Sequence, residues 1–174
     1  MSRILIAYFS RAGENYFGGA IRTVKVGNTE IAANFIQKLT DADVYKIEMK
    51  TPYSQDYKTC VSEAVRDLKS SARPEIIDPP EDIHGYDTVI LAYPSYCGTV
   101  PCAVFTFLEN YDFTGKTILP LCTNEGSGMG KSVFDIQAVC PGAHVADGLS
   151  LIGSRVSSSA QVIKNWLETQ NVIE

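Results

Sequence analysis

Short apolar runs and four-residue apolar spacings alternate along the chain. Residues 4–9 (ILIAYF) form a nearly continuous apolar run, the pattern of a strand covered on both faces in a parallel sheet. Residues 87–93 (DTVILAY) give the clearest central strand, 117–122 (TILPLC) a fourth, and 143–151 hold a fifth. The second strand, 41–47, is weaker and alternates through Val44 and Ile47. Pro120 cannot donate to a ladder, so it is expected where its strand leaves regular pairing. Between these runs, Ile31, Phe35 and Leu39, with Ala32 and Ile36 beside them, predict one helix. Tyr57, Val61, Ala64, Val65 and Leu68 predict a second, with Ser54 as its cap. Thr99 is placed to cap a third, built on Val104, Phe105 and Leu108. Val133, Ile136, Gln137 and Cys140 mark a fourth, and Val162, Ile163, Trp166 and Leu167 a fifth. Each stripe is expected to bury against the sheet.

Strand and helix thus alternate five times. That order predicts an α/β fold, a doubly wound five-stranded parallel sheet with right-handed crossovers and helices on both faces. No repeat or linker divides the 174 residues, so a single domain over 1–174 is expected, large enough to build a core without a disulfide or structural metal. Residues 70–85, rich in Pro and acidic side chains, read as a surface excursion. Residues 11–27 (RAGENYFGGAIRTVKVG) break the rhythm, because a strand-to-helix loop usually takes about 2–6 residues. The segment is either a tolerated surface insertion, such as a small hairpin, or a cover over the crevice beside it.

Composition acts mainly by exclusion. No apolar run reaches the ~18 residues of a membrane span, and with the first strand read from Arg3 or Ile4 no cleavable leader is expected. A cytoplasmic protein with no membrane partner is therefore expected. The net charge is −5 and no basic stripe is visible, which argues against nucleic acid as a partner. The five cysteines (60, 97, 102, 122 and 140) lack CxxC spacing and read as small buried hydrophobes rather than disulfides or zinc ligands. Neither His84 nor His144 has a spacing that would set it beside Cys97, so no Cys–His nucleophile can be argued. No metal ligand and no catalytic side chain is assigned.

In an open parallel sheet the ligand crevice lies beyond the C-terminal strand ends, where the strand order reverses. Three unusual segments fall there. The first is Ser10 with Gly27-Asn28-Thr29 at the start of the first helix. Free backbone N–H groups there would hold a phosphate, and the Ser10 and Thr29 hydroxyls could add donors; an ordinary helix cap reads the same way. It is neither a GK[ST] phosphate loop nor a GxGxxG fingerprint, which disfavours nucleoside triphosphates and NAD. The second is 94–101 (PSYCGTVP), where Tyr96 offers a flat face for stacking on a ring and Gly98 permits close backbone approach; the alternative is a rigid loop with one exposed tyrosine. The third is 122–130 (CTNEGSGMG), whose glycines either curl around a ligand edge or merely make the loop flexible.

These stretches carry a resemblance. YFSRAGEN at 8–15, VGNTE at 26–30, LAYPSYCGTVP at 91–101, TFLENYDFTGKTILPLCTNEGSG at 106–128 and CPGAHVADGL at 140–149 make the chain similar to the flavodoxin family. The likeness is specifically to bacterial flavodoxin-like proteins with an extended phosphate loop. It implies non-covalently bound FMN and a sheet order 2-1-3-4-5, with the crevice between the first and third strands. By that likeness Ser10, Asn28 and Thr29 match the phosphate loop. Pro94, Ser95, Tyr96, Cys97 and Gly98 match the loop over the flavin ring, and Thr123, Asn124 and Gly126 the loop at its pyrimidine edge. The chain departs from close relatives in having Tyr96 and Cys97 where they tend to carry tryptophans, in being less acidic than typical electron carriers, and in the 17-residue spacer between Ser10 and Asn28. Tyr16 or Phe17 of that spacer could cover the ring instead.

Three functions compete. One is electron transfer through the flavin to a redox partner protein. A second is a small FMN-dependent NAD(P)H oxidoreductase acting on a small-molecule acceptor such as a quinone. The third is a signalling or binding module without flavin, against which stands the lack of an aspartate in FSRAG after the first strand.

Overall fold

A computed structural model describes residues 3–174. Its central sheet contains β1 (Ile4–Tyr8), β4 (Asp43–Lys46), β5 (Thr88–Pro94), β6 (Thr117–Asn124), β7 (His144–Val145) and β8 (Leu149–Ile152). The order is β4-β1-β5-β6, followed by β7 and β8 end to end on the outer edge of β6, and every pairing is parallel. This is the 2-1-3-4-5 order, with the fifth strand in two pieces. The helices are α1 (Asn28–Thr40), α2 (Tyr57–Lys69), α3 (Cys102–Glu109), α4 (Ser132–Val139) and α5 (Ala160–Thr169). A 3-10 segment, Gly153–Ser158, precedes α5.

The strand pleat sorts the core into two layers. Leu5, Ala7, Val89, Leu91, Tyr93, Ile118 and Cys122 point to one face, where Ala103, Val104, Phe107 and Leu108 of α3 and Ile136 of α4 cover them. Ile6, Tyr8, Ile90, Ala92, Leu119 and Leu121 point to the other, under Ala32, Ala33 and Ile36 of α1 and Ile163, Trp166 and Leu167 of α5. With both faces covered, β5 is apolar at nearly every position.

Pro120 splits the fifth strand. Its register with Leu91 of β5 is regular, but on the other side Thr117 and Ile118 pair with β7 while Leu121 to Asn124 pair with β8. The Ile118 carbonyl accepts the Ala146 N–H at 3.0 Å on that outer side. Pro120, two residues on, faces the same way with no N–H to give, so the ladder breaks at this point.

Several local expectations are corrected. The cap of α2 is Asp56, whose carboxylate accepts the Thr59 N–H at 2.8 Å, while the Ser54 hydroxyl accepts the Asp56 N–H at 3.2 Å. Thr99 does not cap α3, which starts after Pro101; its hydroxyl donates to Asp135 of α4 at 2.5 Å. The excursion 70–85 is not wholly superficial, because Ile76 and Ile83 are buried in the core and Ile76 bridges Met49. Cys97 is exposed, unlike the other four cysteines, and all five are free.

The segment after β1 folds as an antiparallel hairpin of β2 (Gly13–Phe17) and β3 (Ala20–Val24). Its two-residue turn is Gly18-Gly19, both with positive φ (62° and 94°), as the twist of a tight hairpin requires.

Candidate functional site

A cavity of about 430 Å³ opens beyond the C-terminal ends of β1, β5 and β6. That volume is in the range of small-molecule and cofactor sites. The lining brings together Ser10 after β1, Asn28 and Thr29 at the start of α1, Pro94 at the end of β5 with Ser95, Tyr96 and Cys97 after it, and Thr123 and Asn124 at the end of β6. Gly98 and Gly126 lie outside it. Arg11, Asn15 and Tyr16 come from the hairpin segment, Tyr57, Cys60, Val61 and Ala64 from α2, Glu125 and Ser127 from the loop after β6, and Gly153 from the 3-10 segment. The hairpin is thus both an insertion and a wall of the crevice; Tyr16 lines it and Phe17 does not.

At one end the start of α1 is held open as a donor pair. Gly27 stands at the cap position and supplies no side-chain acceptor. The Ser10 hydroxyl accepts the Glu30 N–H at 3.1 Å, and the Gly27 carbonyl accepts the Ile31 N–H at 3.2 Å. The N–H groups of Asn28 and Thr29 meet no acceptor among the described residues. Two such donors at the positive end of a helix dipole suit an anion. Gly27 is required by packing, because a Cβ there would fall 2.8 Å from the Arg11 carbonyl oxygen. The Thr29 hydroxyl shares a 2.8 Å hydrogen bond with that of Thr123, tying α1 to β6 beneath the cavity.

The loop after β5 is a two-residue β-turn. Tyr96 and Thr99 exchange backbone hydrogen bonds of 2.9 and 3.1 Å, with Cys97 (φ 54°) and Gly98 (φ 77°) at the corner. Gly98 therefore serves the turn, and its carbonyl accepts the Lys131 N–H at 2.9 Å. Tyr96 lies edge-on to Phe9, with ring centroids 5.7 Å apart. Its hydroxyl is enclosed beside the Cys60 thiol, a weak partner, and makes no stronger hydrogen bond among the described residues. Burial pushes the Tyr96 phenol and the Cys60 thiol up, with the nearby Arg11 guanidinium opposing in both cases. Burial also raises the Cys97 thiol. These groups are neutral near pH 7, which disfavours thiolate chemistry here.

The loop after β6 is organised by Asn124, whose side-chain oxygen accepts the N–H groups of Gly126 and Gly128 at 2.9 and 3.0 Å. Its amide nitrogen donates to the Ser150 hydroxyl at 2.8 Å. Gly126 (φ 118°) and Gly128 (φ 69°) let the chain curl this way. Among the described residues no group of three or more His, Cys, Asp or Glu could hold a metal ion. No helix among them is long and apolar enough to cross a membrane.

Ten lining residues went unassigned in the sequence. Arg11, Asn15, Glu125 and Ser127 lie inside the unusual segments, and Tyr16 is one of the two candidate ring covers. Tyr57, Val61 and Ala64 belong to an apolar stripe that reads as facing the sheet, Cys60 reads as a small buried hydrophobe, and Gly153 carries no signal.

The family model described as Flavodoxin matches residues 3–170. No curated protein sequence matches the chain. Among solved structures, a provisionally described flavoprotein from Bacteroides eggerthii is 27% identical, with a TM-score of 0.78 over 97% of this chain and 98% of its own. A flavoprotein from Lactobacillus acidophilus, solved in complex with FMN, is 18% identical with a TM-score of 0.63, covering 91% and 98%. The apo form of an NADH:FMN oxidoreductase is 15% identical with a TM-score of 0.52, covering 97% and 90%. The last two likenesses show the shared fold.

Proposed function

The chain belongs to the flavodoxin family, and we propose that it binds FMN non-covalently in the crevice and transfers electrons through it. The observation that carries this reading is that the Asn28 and Thr29 N–H groups, which meet no acceptor among the described residues, belong to residues lining the same cavity as Tyr96 and Cys97. The donors fit a phosphate monoester, and the cavity's apolar and aromatic walls fit a flat ring system. Ser10 keeps α1 positioned by taking the Glu30 N–H, which leaves the first two N–H groups for the ligand. Pro94, Ser95 and Cys97 set the ring-side wall, with the Ser95 N–H fixed on the Thr123 carbonyl at 2.9 Å. Asn124 holds the opposite loop in shape. When bound, FMN supplies one- or two-electron transfer; the chain's part is to bind, orient and shield it.

A second reading is favoured by the α2 wall. Tyr57, Val61 and Ala64 extend the cavity with apolar surface, and Val61 remains 40% exposed. A small planar acceptor such as a quinone fits there, which would make the protein an NAD(P)H oxidoreductase rather than a carrier for a protein partner. The deciding experiment has two steps. Apo-protein is titrated with FMN, riboflavin and NAD, and tight binding of FMN alone is expected. The holoprotein is then given NAD(P)H and a quinone, where rapid turnover without a partner protein selects the second reading. Failure of FMN to bind refutes both.

A further inference from the structure

The hairpin is anchored at both ends across the crevice. At its base, Arg11 donates to the carbonyls of Ser54 and Gln55 at 2.8 and 2.9 Å, and the Glu14 carboxylate accepts the Tyr57 N–H at 2.9 Å. That end is tied to the start of α2. At its tip, the Gly18 N–H donates to Glu125 at 3.4 Å. The same carboxylate accepts the Ser154 N–H at 2.7 Å and the Ser154 hydroxyl at 2.9 Å. The tip is thus tied to the loop after β6 and to the 3-10 segment that follows β8.

The N-terminus of α1 lies between the two anchors. Gly27 is pressed against Arg11 on one side. On the other, a Cβ on Gly153 would fall 2.4 Å from the Asn28 side-chain nitrogen and 3.1 Å from a Glu125 carboxylate oxygen. The donor pair of α1 is therefore walled on both flanks and spanned by the hairpin.

We infer that the hairpin, latched at its tip by Glu125, is the specificity element of this site: it admits a flavin ending in a phosphate monoester and rejects one whose phosphate continues into a pyrophosphate, as in FAD. The inference rests on the FMN reading above. A monoester ends at the α1 donors and needs no exit. FAD must carry a second phosphate and a nucleoside onward from the donors, between flanks closed by Arg11 on one side and by Gly153 and Glu125 on the other, in a crevice that Asn15 and Tyr16 of the hairpin also line. Discrimination then comes from an obstacle set against the wrong ligand.

The test is titration of apo-protein with FMN and FAD, followed by flavin fluorescence, for three chains. These are the wild type, Glu125→Gln, and a shortened chain in which residues 16–21 are replaced by an Asn-Gly turn. Glu125→Gln keeps one oxygen to accept the Ser154 N–H and replaces the oxygen that takes the Gly18 N–H and the Ser154 hydroxyl by an amide NH2, so the tip is unlatched. The shortened chain retains the Gly13–Val24, Glu14–Thr23 and Asn15–Arg22 pairs. The two variants act at different points, so a folded sample of either, checked by circular dichroism, suffices. The wild type should prefer FMN by about a hundredfold or more, and the variants by less than about tenfold, chiefly because FAD binds more tightly. FAD rejected as strongly by a folded variant as by the wild type overturns the inference and leaves FMN binding standing. Lost preference through weaker FMN binding alone also overturns it, since the hairpin would then only retain FMN. A wild type that binds neither flavin overturns the FMN reading and this inference with it.

Discussion

The hydrogen bond between Thr29 and Thr123 links the anion end of the crevice to the sheet, and its removal has a calculable signature. The two hydroxyls are 2.8 Å apart, and the residues are 1% and 4% exposed. Thr29→Val keeps the branched shape, deletes one hydroxyl and leaves the other buried without its partner. Such a loss costs about 1–3 kcal/mol. For a chain of this size each kcal/mol moves Tm by about 2–4 °C, so a fall of a few to about ten degrees is expected in the apo-protein. Thr123→Val should cost about the same. The double substitution removes both polar groups together and should recover most of one single loss, giving a coupling of about 1 kcal/mol or more in a double-mutant cycle. Thermal or denaturant unfolding of the four chains measures it. Because the Thr29 hydroxyl is already engaged and its N–H is the free donor, Thr29→Val should weaken FMN and riboflavin alike. Additive losses in the cycle would refute the coupling between the two hydroxyls, and a binding loss confined to FMN would show that the Thr29 hydroxyl serves the ligand.

Three further outcomes are expected. Gly130→Ala would place a Cβ 2.2 Å from the Gly98 carbonyl oxygen at φ 53°, whereas Gly115→Ala meets nothing within 4 Å at φ 76°. The first should therefore lower unfolding stability by about 1–3 kcal/mol beyond the second; equal losses would refute the role of the Gly98 contact. Thiol titration of the native protein should modify Cys97 alone, since the other four thiols are buried and those of Cys122 and Cys140 are pushed up to about 12. Because burial also raises Cys97, its thiolate fraction at neutral pH is below that of a free cysteine, and its rate should climb as pH rises; a second fast thiol would contradict the burial. Tyr96→Phe deletes a buried hydroxyl whose neighbour is the weakly hydrogen-bonding Cys60 thiol and should leave stability nearly unchanged or higher, while Tyr96→Ala should lower both stability and FMN affinity; a clear loss of stability in Tyr96→Phe would mean that the hydroxyl is well satisfied.

The sheet was legible because parallel strands buried on both faces leave short, dense apolar runs. The runs at 4–9 and 87–93 fall within a residue of β1 and β5. Caps were less legible. Ser54 and Thr99 have the right chemistry for capping, but Asp56 stands nearer the true start of α2, and Asp135 of the distant α4 takes the Thr99 hydroxyl. Local propensity could not anticipate a partner 36 residues away.

The site divides along the same line. Ser10, Thr29, Tyr96 and Asn124 could be singled out because they sit where strands end, and the topology sends those ends to one edge. The α2 wall could not be found that way. Tyr57, Val61 and Ala64 are spaced as a core-facing stripe, and spacing reports which residues share a face but not what stands opposite it. Leu68, further along the stripe, packs against the core beneath the sheet, while at the other end of the helix the hairpin holds the facing space open. That opening depends on contacts distant in sequence: Arg11 on the Ser54 and Gln55 carbonyls, Glu14 on the Tyr57 N–H, and Gly18 on Glu125. One apolar helix face thus becomes core at one end and cavity wall at the other, and the hydrogen bonds of an insertion from elsewhere in the chain decide where the change occurs.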